Sequence, residues 1–392
     1  MSAEEPSLAV RPRPAPFFLR RRFLRPFTPV ASLAVVGLVA LLVSANLLLP
    51  FERLVTLDGK MGTNADFFND ERVGELLLRH HMRVHVTRQG SREAATGDLD
   101  SLDFVFSSGQ PAAELVIQRR RAEGKYNSVH RPFVTPIVLA TYREYAETLR
   151  DAGVATPQTT SGFDRPYFYN LDMGGFLNLV RGQKSWDDLN ISAHGFTNGN
   201  KVLAQTTNLC TSNGAATYLG LVSYLTRGGV PSSELDAVAL AKEIKPLLRD
   251  QGLPADAPEL YFVPEGRQTA PIIVIYEHQY LTHQLRHREL DGDRVLLYPS
   301  TVFQTQSEFI ALNEDADRLG RLLITDPELS RRALELGFRV LDSNREDSSE
   351  QLAEFLAERA VPVPSMAASD TRALLPNVPL LETMIVVAGD CP

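Results

Sequence analysis

Three strand-sized runs, each closed by a glycine- or serine-rich turn and leading into helix-like sequence, do most to limit what this 392-residue chain can fold into. Leu54–Gly59 reads as a short strand, and the turn Gly59–Asn64 carries helix-capping residues. Phe67, Phe68, Val73, Leu76, Leu77 and Leu78 then form an apolar helical stripe. Arg83–Thr87 alternates as a strand and leaves through Gly90-Ser91-Arg92-Glu93. Leu102–Phe106 is a third strand, ended by Ser107-Ser108-Gly109, with a helix over Pro111–Arg120. This repeated strand–turn–helix rhythm predicts βαβ units and a parallel sheet.

Further on, Phe133–Thr141 is continuously apolar, like a strand in the middle of a covered sheet, and a helix over Tyr142–Ala152 follows. Leu171–Arg181 and Trp186–Leu189 look helical and Lys201–Gln205 strand-like. Thr206-Thr207-Asn208 and Ser212-Asn213-Gly214 lead into a helix over Ala215–Thr226. Residues 229–258 read as a loose acidic stretch. Pro271–Tyr276 and Arg294–Tyr298 are strands, and helices are predicted over 307–323 and 327–336. After Phe338 the chain turns polar and then proline-rich, so 342–380 is expected to be loose, ending in a short apolar run Thr383–Ala388.

Charge is unevenly placed. The net charge is −8, which argues against a nucleic-acid partner, yet residues 1–50 carry six arginines and only Glu4 and Glu5. The last of these arginines, Arg20, Arg21, Arg22 and Arg25, precede an uncharged run, Phe27 to Phe51. Its central residues, 30–49, would span about 30 Å as a helix, the thickness of a bilayer core. We read 1–27 as a cytoplasmic basic tail and 28–50 as a transmembrane anchor. The alternative is a signal cleaved near Val43-Ser44-Ala45. Either way residues 52–392 face outward: the anchor places the protein at the cell membrane, and cleavage would release the body. Only two cysteines exist, Cys210 and Cys391; outside the cytoplasm they form one bridge or remain two thiols.

The order of these elements resembles the type II periplasmic (solute-) binding proteins that serve ABC importers. The run Arg321–Arg339, with Asp326-Pro327-Glu328 and Gly337-Phe338-Arg339, is similar to that family's closing helices. Ser185–Leu189, Thr206-Thr207-Asn208 with Ser212-Asn213-Gly214, and Pro271–Tyr280 resemble its crossover helix, second-lobe loop and hinge strand. The likeness covers residues 54–340. It extends to the solute-binding-like modules that actinobacterial surface proteins pair with a von Willebrand A domain. It implies a two-lobed α/β fold with parallel-type sheets: 54–140 and 269–340 building one lobe, 141–268 the other, and 341–392 a loose tail.

Such a fold implies a ligand between the lobes, at the carboxyl ends of strands and the amino ends of helices, where free N–H groups suit anions. The candidate ligand-binding residues are Thr63, Ser91, Ser107, Ser108, Thr207, Ser212 and Asn213, with Glu277 at the end of the return strand. Each hydroxyl or amide reads equally as a helix cap. Arg92 is a further candidate for an anion, and Tyr276 and Tyr298 for cleft walls. His278, His283 and His287, and likewise His80, His81 and His85, lack the acidic or cysteine partners of a metal site. There is no G-x-S-x-G elbow, phosphate loop or H-E-x-x-H, and the sequon Asn190-Ile191-Ser192 reads as chance. The expectation is a non-enzymatic solute-binding protein without cofactor or metal. It would take a small polar molecule or oxyanion and present it to an ABC permease. The alternative is a membrane-anchored scaffold or sensor that binds a surface protein.

Overall fold

The computed structural model describes Leu33, Val35 and residues 54–134, 136–160, 162–249, 257–302, 305–341, 349–365 and 371–392. The predicted anchor 28–50 thus lies, apart from Leu33 and Val35, outside the described residues. Among the described residues no helix is long and apolar enough to cross a membrane.

Val55–Pro392 is one compact unit built on two mixed sheets. The first lobe begins with β1 (Val55–Met61), β2 (Met82–Arg88), β3 (Phe104–Ser107) and β4 (Ser128–Val134). The second lobe contains β5 (Ile137–Tyr142), β6 (Ala155–Pro157), β7 (Phe168–Leu171), β8 (Ile272–Tyr276) and β9 (Arg294–Pro299). The chain then adds β10 (Thr301–Val302), returns to the first lobe with β11 (Gln306–Ala311) and β12 (Arg339–Val340), and later adds β13 (Thr371–Arg372). The first sheet has the order β12-β4-β11-β3-β1-β2, the second β6-β7-β9-β5-β8, and β10 pairs with β13.

The repeated rhythm forms as read. β1 lies parallel to β2, with Val55 opposite Met82, and parallel to β3, with Gly59 opposite Phe104. The parallel-sheet expectation fails elsewhere. β11 is antiparallel to β3 and β4, and β5 is antiparallel to β8 and β9. These pairings join residues more than a hundred positions apart, which local periodicity cannot orient.

The apolar run 133–141 is two strands, not one. β4 ends at Val134 and β5 starts at Ile137, so the chain changes sheet at Pro136, which has no N–H to offer a ladder. The lobe boundary therefore falls near 135, not at 140/141. The strand 272–276 belongs to the second lobe beside β5, and the return comes between β9 and β11 rather than at 269. The helix predicted over 307–323 begins only at Glu314, capped by the Asn313 side chain, because 306–311 inserts as a buried strand between β3 and β4. Lys201 and Gln205 make isolated bridges only, not a strand.

Two segments expected to be loose contain helices. Ser233 caps a helix, Glu234–Ile244, inside 229–258. In the tail, the helices Ser349–Glu358 and Val378–Gly389 supply Leu352, Leu356, Leu381, Met384 and Ile385 to the second-lobe core. The chain therefore crosses between lobes three times. The first lobe packs a phenylalanine cluster in which Phe104 stacks on Phe309 at 4.5 Å and Phe133 lies 4.7 Å from Phe338. Each such ring contributes about 1.5–3 kcal/mol by burial.

The lobes meet where Phe338 of the first stacks on His278 of the second, ring centroids 4.1 Å apart. His278 is buried, and neither ring nitrogen has a hydrogen-bond partner among the described residues. Burial pushes its pKa down to about 3, so the ring is neutral in the fold. The unfolded chain binds this proton below about pH 6.5, whereas the folded chain does not until about pH 3. The contribution is therefore present above pH 6.5 and is lost as pH falls through that window. His278→Phe should remove about 3 kcal/mol of the difference in unfolding free energy between pH 7 and pH 4. Urea titrations at both pH values check this, and an unchanged difference would refute it.

Candidate functional site

Because β1, β2 and β3 are parallel, the turns after them share one edge of the first lobe: Gly62-Thr63-Asn64, Gln89-Gly90-Ser91 and Ser108-Gly109. Side chains lock these turns together. Asn64 is fully buried and its Nδ2 donates to the Ser107 carbonyl (3.1 Å). Thr63 Oγ1 and Ser108 Oγ share a hydrogen bond of 2.9 Å, and the Ser108 N–H donates to Ser91 Oγ (3.3 Å). Thr207 and the segment Thr211–Gly214 face this edge from the second lobe, across a cavity of about 830 Å³.

Six of the eight candidate residues line that cavity: Thr63, Ser91, Ser108, Thr207, Ser212 and Asn213. Ser107 and Glu277 do not. Ser107 is buried inside its own turn, where Oγ donates to the Gly109 carbonyl (2.7 Å) and accepts from the Gly109 N–H. Glu277 is held in a bidentate pair by Arg339 (2.6 and 2.9 Å) and accepts from the Tyr298 hydroxyl (2.6 Å). Its carboxylate is committed between the lobes and is not a ligand group. Tyr298 accordingly serves this junction, whereas Tyr276 does line the cavity. Burial pushes the Tyr276 hydroxyl up to about 12, so it remains a protonated donor while accepting from Asn213 Nδ2 (3.2 Å).

The helix amino ends expected to hold an anion are engaged by the protein itself. In the helix Ser91–Thr96, the Arg92 and Glu93 N–H groups donate to the Thr211 carbonyl (3.1 and 3.3 Å). In the helix Gln110–Ala122, the Ala112 N–H donates to Asn213 Oδ1 (3.1 Å). Two glycines permit this approach. A Cβ on Gly90 would sit 2.3 Å from the Thr211 oxygen, and one on Gly109 2.4 Å from Asn213 Nδ2. Ser212 also caps its own helix by accepting from the Ala215 N–H (3.3 Å).

Arg92 is not available to an anion. It donates to the Cys210 carbonyl (3.1 Å) and pairs with Glu382 of the helix Val378–Gly389. That helix is tied to the same loop, because Cys210 and Cys391 are joined in a disulfide. The chain thus closes a covalent loop across the cleft-facing segment.

Sequence reasoning missed the charged lining: Lys60, Arg88, Glu93 and Glu259, together with Gln89 and Gln279. Lys60, Arg88 and Gln89 sit at or next to the carboxyl ends of β1 and β2, so the strand-end rule that selected Thr63 and Ser91 could have included them. The histidines pair elsewhere: His80 with Asp326 (2.7 Å), His85 with Asp58 (2.7 Å) and His283 with Asp291 (2.9 Å). Among the described residues no group of three or more His, Cys, Asp or Glu side chains converges as a metal site.

No family model matches the chain, and no curated protein matches it. Solved structures do. Iron-bound HitA from Pseudomonas aeruginosa is 12% identical, with a TM-score of 0.51 over 86% of this chain and 99% of its own. The substrate-binding protein of an ABC transporter from Agrobacterium tumefaciens is 12% identical, with a TM-score of 0.51 over 86% of this chain and 93% of its own. A two-component system protein described as mediating signal transduction is 11% identical, with a TM-score of 0.50 over 84% of this chain and 100% of its own. At these identities the shared property is the two-lobed fold.

Replacing Cys210 and Cys391 together by serine should cost about 2–5 kcal/mol of stability, seen as a lower denaturant midpoint. A double variant that melts like the parent would show that core packing alone holds the helix 378–389.

Proposed function

We propose that residues 54–392 form an extracytoplasmic solute-binding unit, held at the membrane by residues 28–50. It takes a small polar or anionic solute between its lobes and presents it to an ABC-type permease. The observation that carries this reading is the cavity of about 830 Å³, lined from both lobes by hydroxyl, amide and charged groups at strand ends. Binding rather than catalysis is favoured because no histidine is among the described residues lining that cavity, so its serines and threonines have no imidazole base beside them. The fold shared with an ABC-transporter substrate-binding protein supports the same reading.

One observation favours a second reading, a sensor or scaffold that recognises a protein. The Thr211 carbonyl and Asn213 Oδ1 already spend the N–H donors of the first lobe, and the Arg92–Glu382 pair reinforces that junction. The fold of the two-component protein is compatible with it.

Scattering and thermal melting across a panel of oxyanions, amino acids and sugars separate the two. A bound solute should reduce the radius of gyration and, at a hundredfold excess over Kd, add about 2.7 kcal/mol of stability. No response to any compound, with a protein partner co-purifying from membranes, would overturn the importer reading in favour of the sensor.

A further inference from the structure

We infer that the solute is an elongated zwitterion of amino-acid or short-peptide type, its head between Lys60 and Glu93 and its far end at Arg286 in a side compartment. This rests on the solute-binding reading above and names the class of ligand.

Size is the first argument. A cavity of about 830 Å³ has the volume of roughly 25–30 waters at about 30 Å³ each. That is within the range of sites for organic ligands. The cavity also does not stand alone. A second one of about 370 Å³ adjoins it, and Arg88, Pro258, Glu259 and Gln279 line both. Beyond this neck Phe262, Leu336 and Phe338 supply apolar wall, and Asp66, Thr282, His283, Arg286 and His287 stand among them.

Charge is the second argument. Arg88 is matched by Asp66 (2.6 Å). Lys60, Glu93 and Glu259 form no hydrogen bond or ion pair through their side chains among the described residues, and Arg286 shares with Arg88 the single carboxylate of Asp66, so charges of both signs line the two adjoining cavities. A bare anion would be repelled by the carboxylates, and a simple cation by Lys60 and Arg286. A solute carrying both signs meets both.

The third argument is an acceptor with nothing to accept. Gln89 lines the main cavity, and its Oε1 is buried with no partner among the described residues. Such an atom calls for a donor, which an ammonium supplies and an unprotonated oxyanion does not. Lys60 Nζ lies near Gly97, one turn along the short helix from Glu93, and both side chains line the main cavity. The ammonium then lies against Gln89 Oε1 and Glu93, and the carboxylate against Lys60 and the Thr63–Ser108 hydroxyls. The body passes Gln279 to Phe262 and Leu336, where Arg286 meets an acceptor at the far end.

The test uses the full exported chain, with calorimetry and native mass spectrometry. The probes are glycine, long-side-chain amino acids, dipeptides, their N-acetyl and amide derivatives, inorganic phosphate, sulfate and glucose. Dipeptides or long amino acids should bind, glycine at least tenfold more weakly, and blocking either terminus should abolish binding. Lys60→Gln and Glu93→Gln should each weaken binding at least tenfold. Arg286→Gln should weaken only the long probes, with the melting temperature of the free protein unchanged in all three. If phosphate, sulfate or glucose binds and no zwitterion does, or if the Lys60 and Glu93 variants bind like the parent, this inference fails while the solute-binding reading stands. If no probe binds, the solute-binding reading itself fails.

Discussion

The buried pair between Glu277 and Arg339 decides how the two lobes are joined. Arg339 belongs to the last strand of the first sheet, and Glu277 opens the helix Glu277–Arg286 directly after β8 of the second. Both side chains are almost wholly buried, so their mutual hydrogen bonds, with the one Tyr298 donates to Glu277, take the place of bonds that water would have given. A pair of this kind contributes little net stability, yet removing one partner costs several kcal/mol. Its effect is to specify geometry. It fixes the point at which β12 meets the second lobe, and with it the stacking of Phe338 on His278.

Across the cleft the contacts are of another kind. Two helix amino ends of the first lobe are capped by Thr211 and Asn213 of the second. Neutral hydrogen bonds of this sort are each worth about 1 kcal/mol net, because water replaces the protein acceptor when they part. The Arg92–Glu382 ion pair adds to them, so opening the cleft costs more than these neutral bonds alone. The junction at Glu277 is a charge pair sealed from water, whereas the one at Thr211 combines neutral hydrogen bonds with the Arg92–Glu382 pair.

Much of this was legible from residue order. Runs such as Ile272–Tyr276 and Arg294–Pro299 are buried on both faces and read as strands without ambiguity. The segment 306–311 was not, because Ser-Glu-Phe-Ile-Ala carries helix-compatible residues, and its place between β3 and β4 is a tertiary fact. The tail misled for a related reason. Its polar and proline-rich parts suggest a loose chain, while the helix Val378–Gly389 is apolar on nearly every side and so needed a core supplied from elsewhere. At the cleft, the hydroxyl and amide residues were readable from strand ends. Glu277 was misassigned because its partner lies 62 positions away, and Glu93 and Lys60 look like any solvated charges until the turns bring them to one cavity.

The disulfide and the helix before it carry a consequence for how the molecule is made. The second lobe starts at Ile137, but its core lacks Leu381, Met384 and Ile385 until residues 378–391 arrive. During synthesis that lobe therefore stays incomplete over some two hundred and fifty residues of growing polypeptide. The final stitch between Cys210 and Cys391 can be sewn only once both have been made, so the bond that seals this lobe is among the last to form.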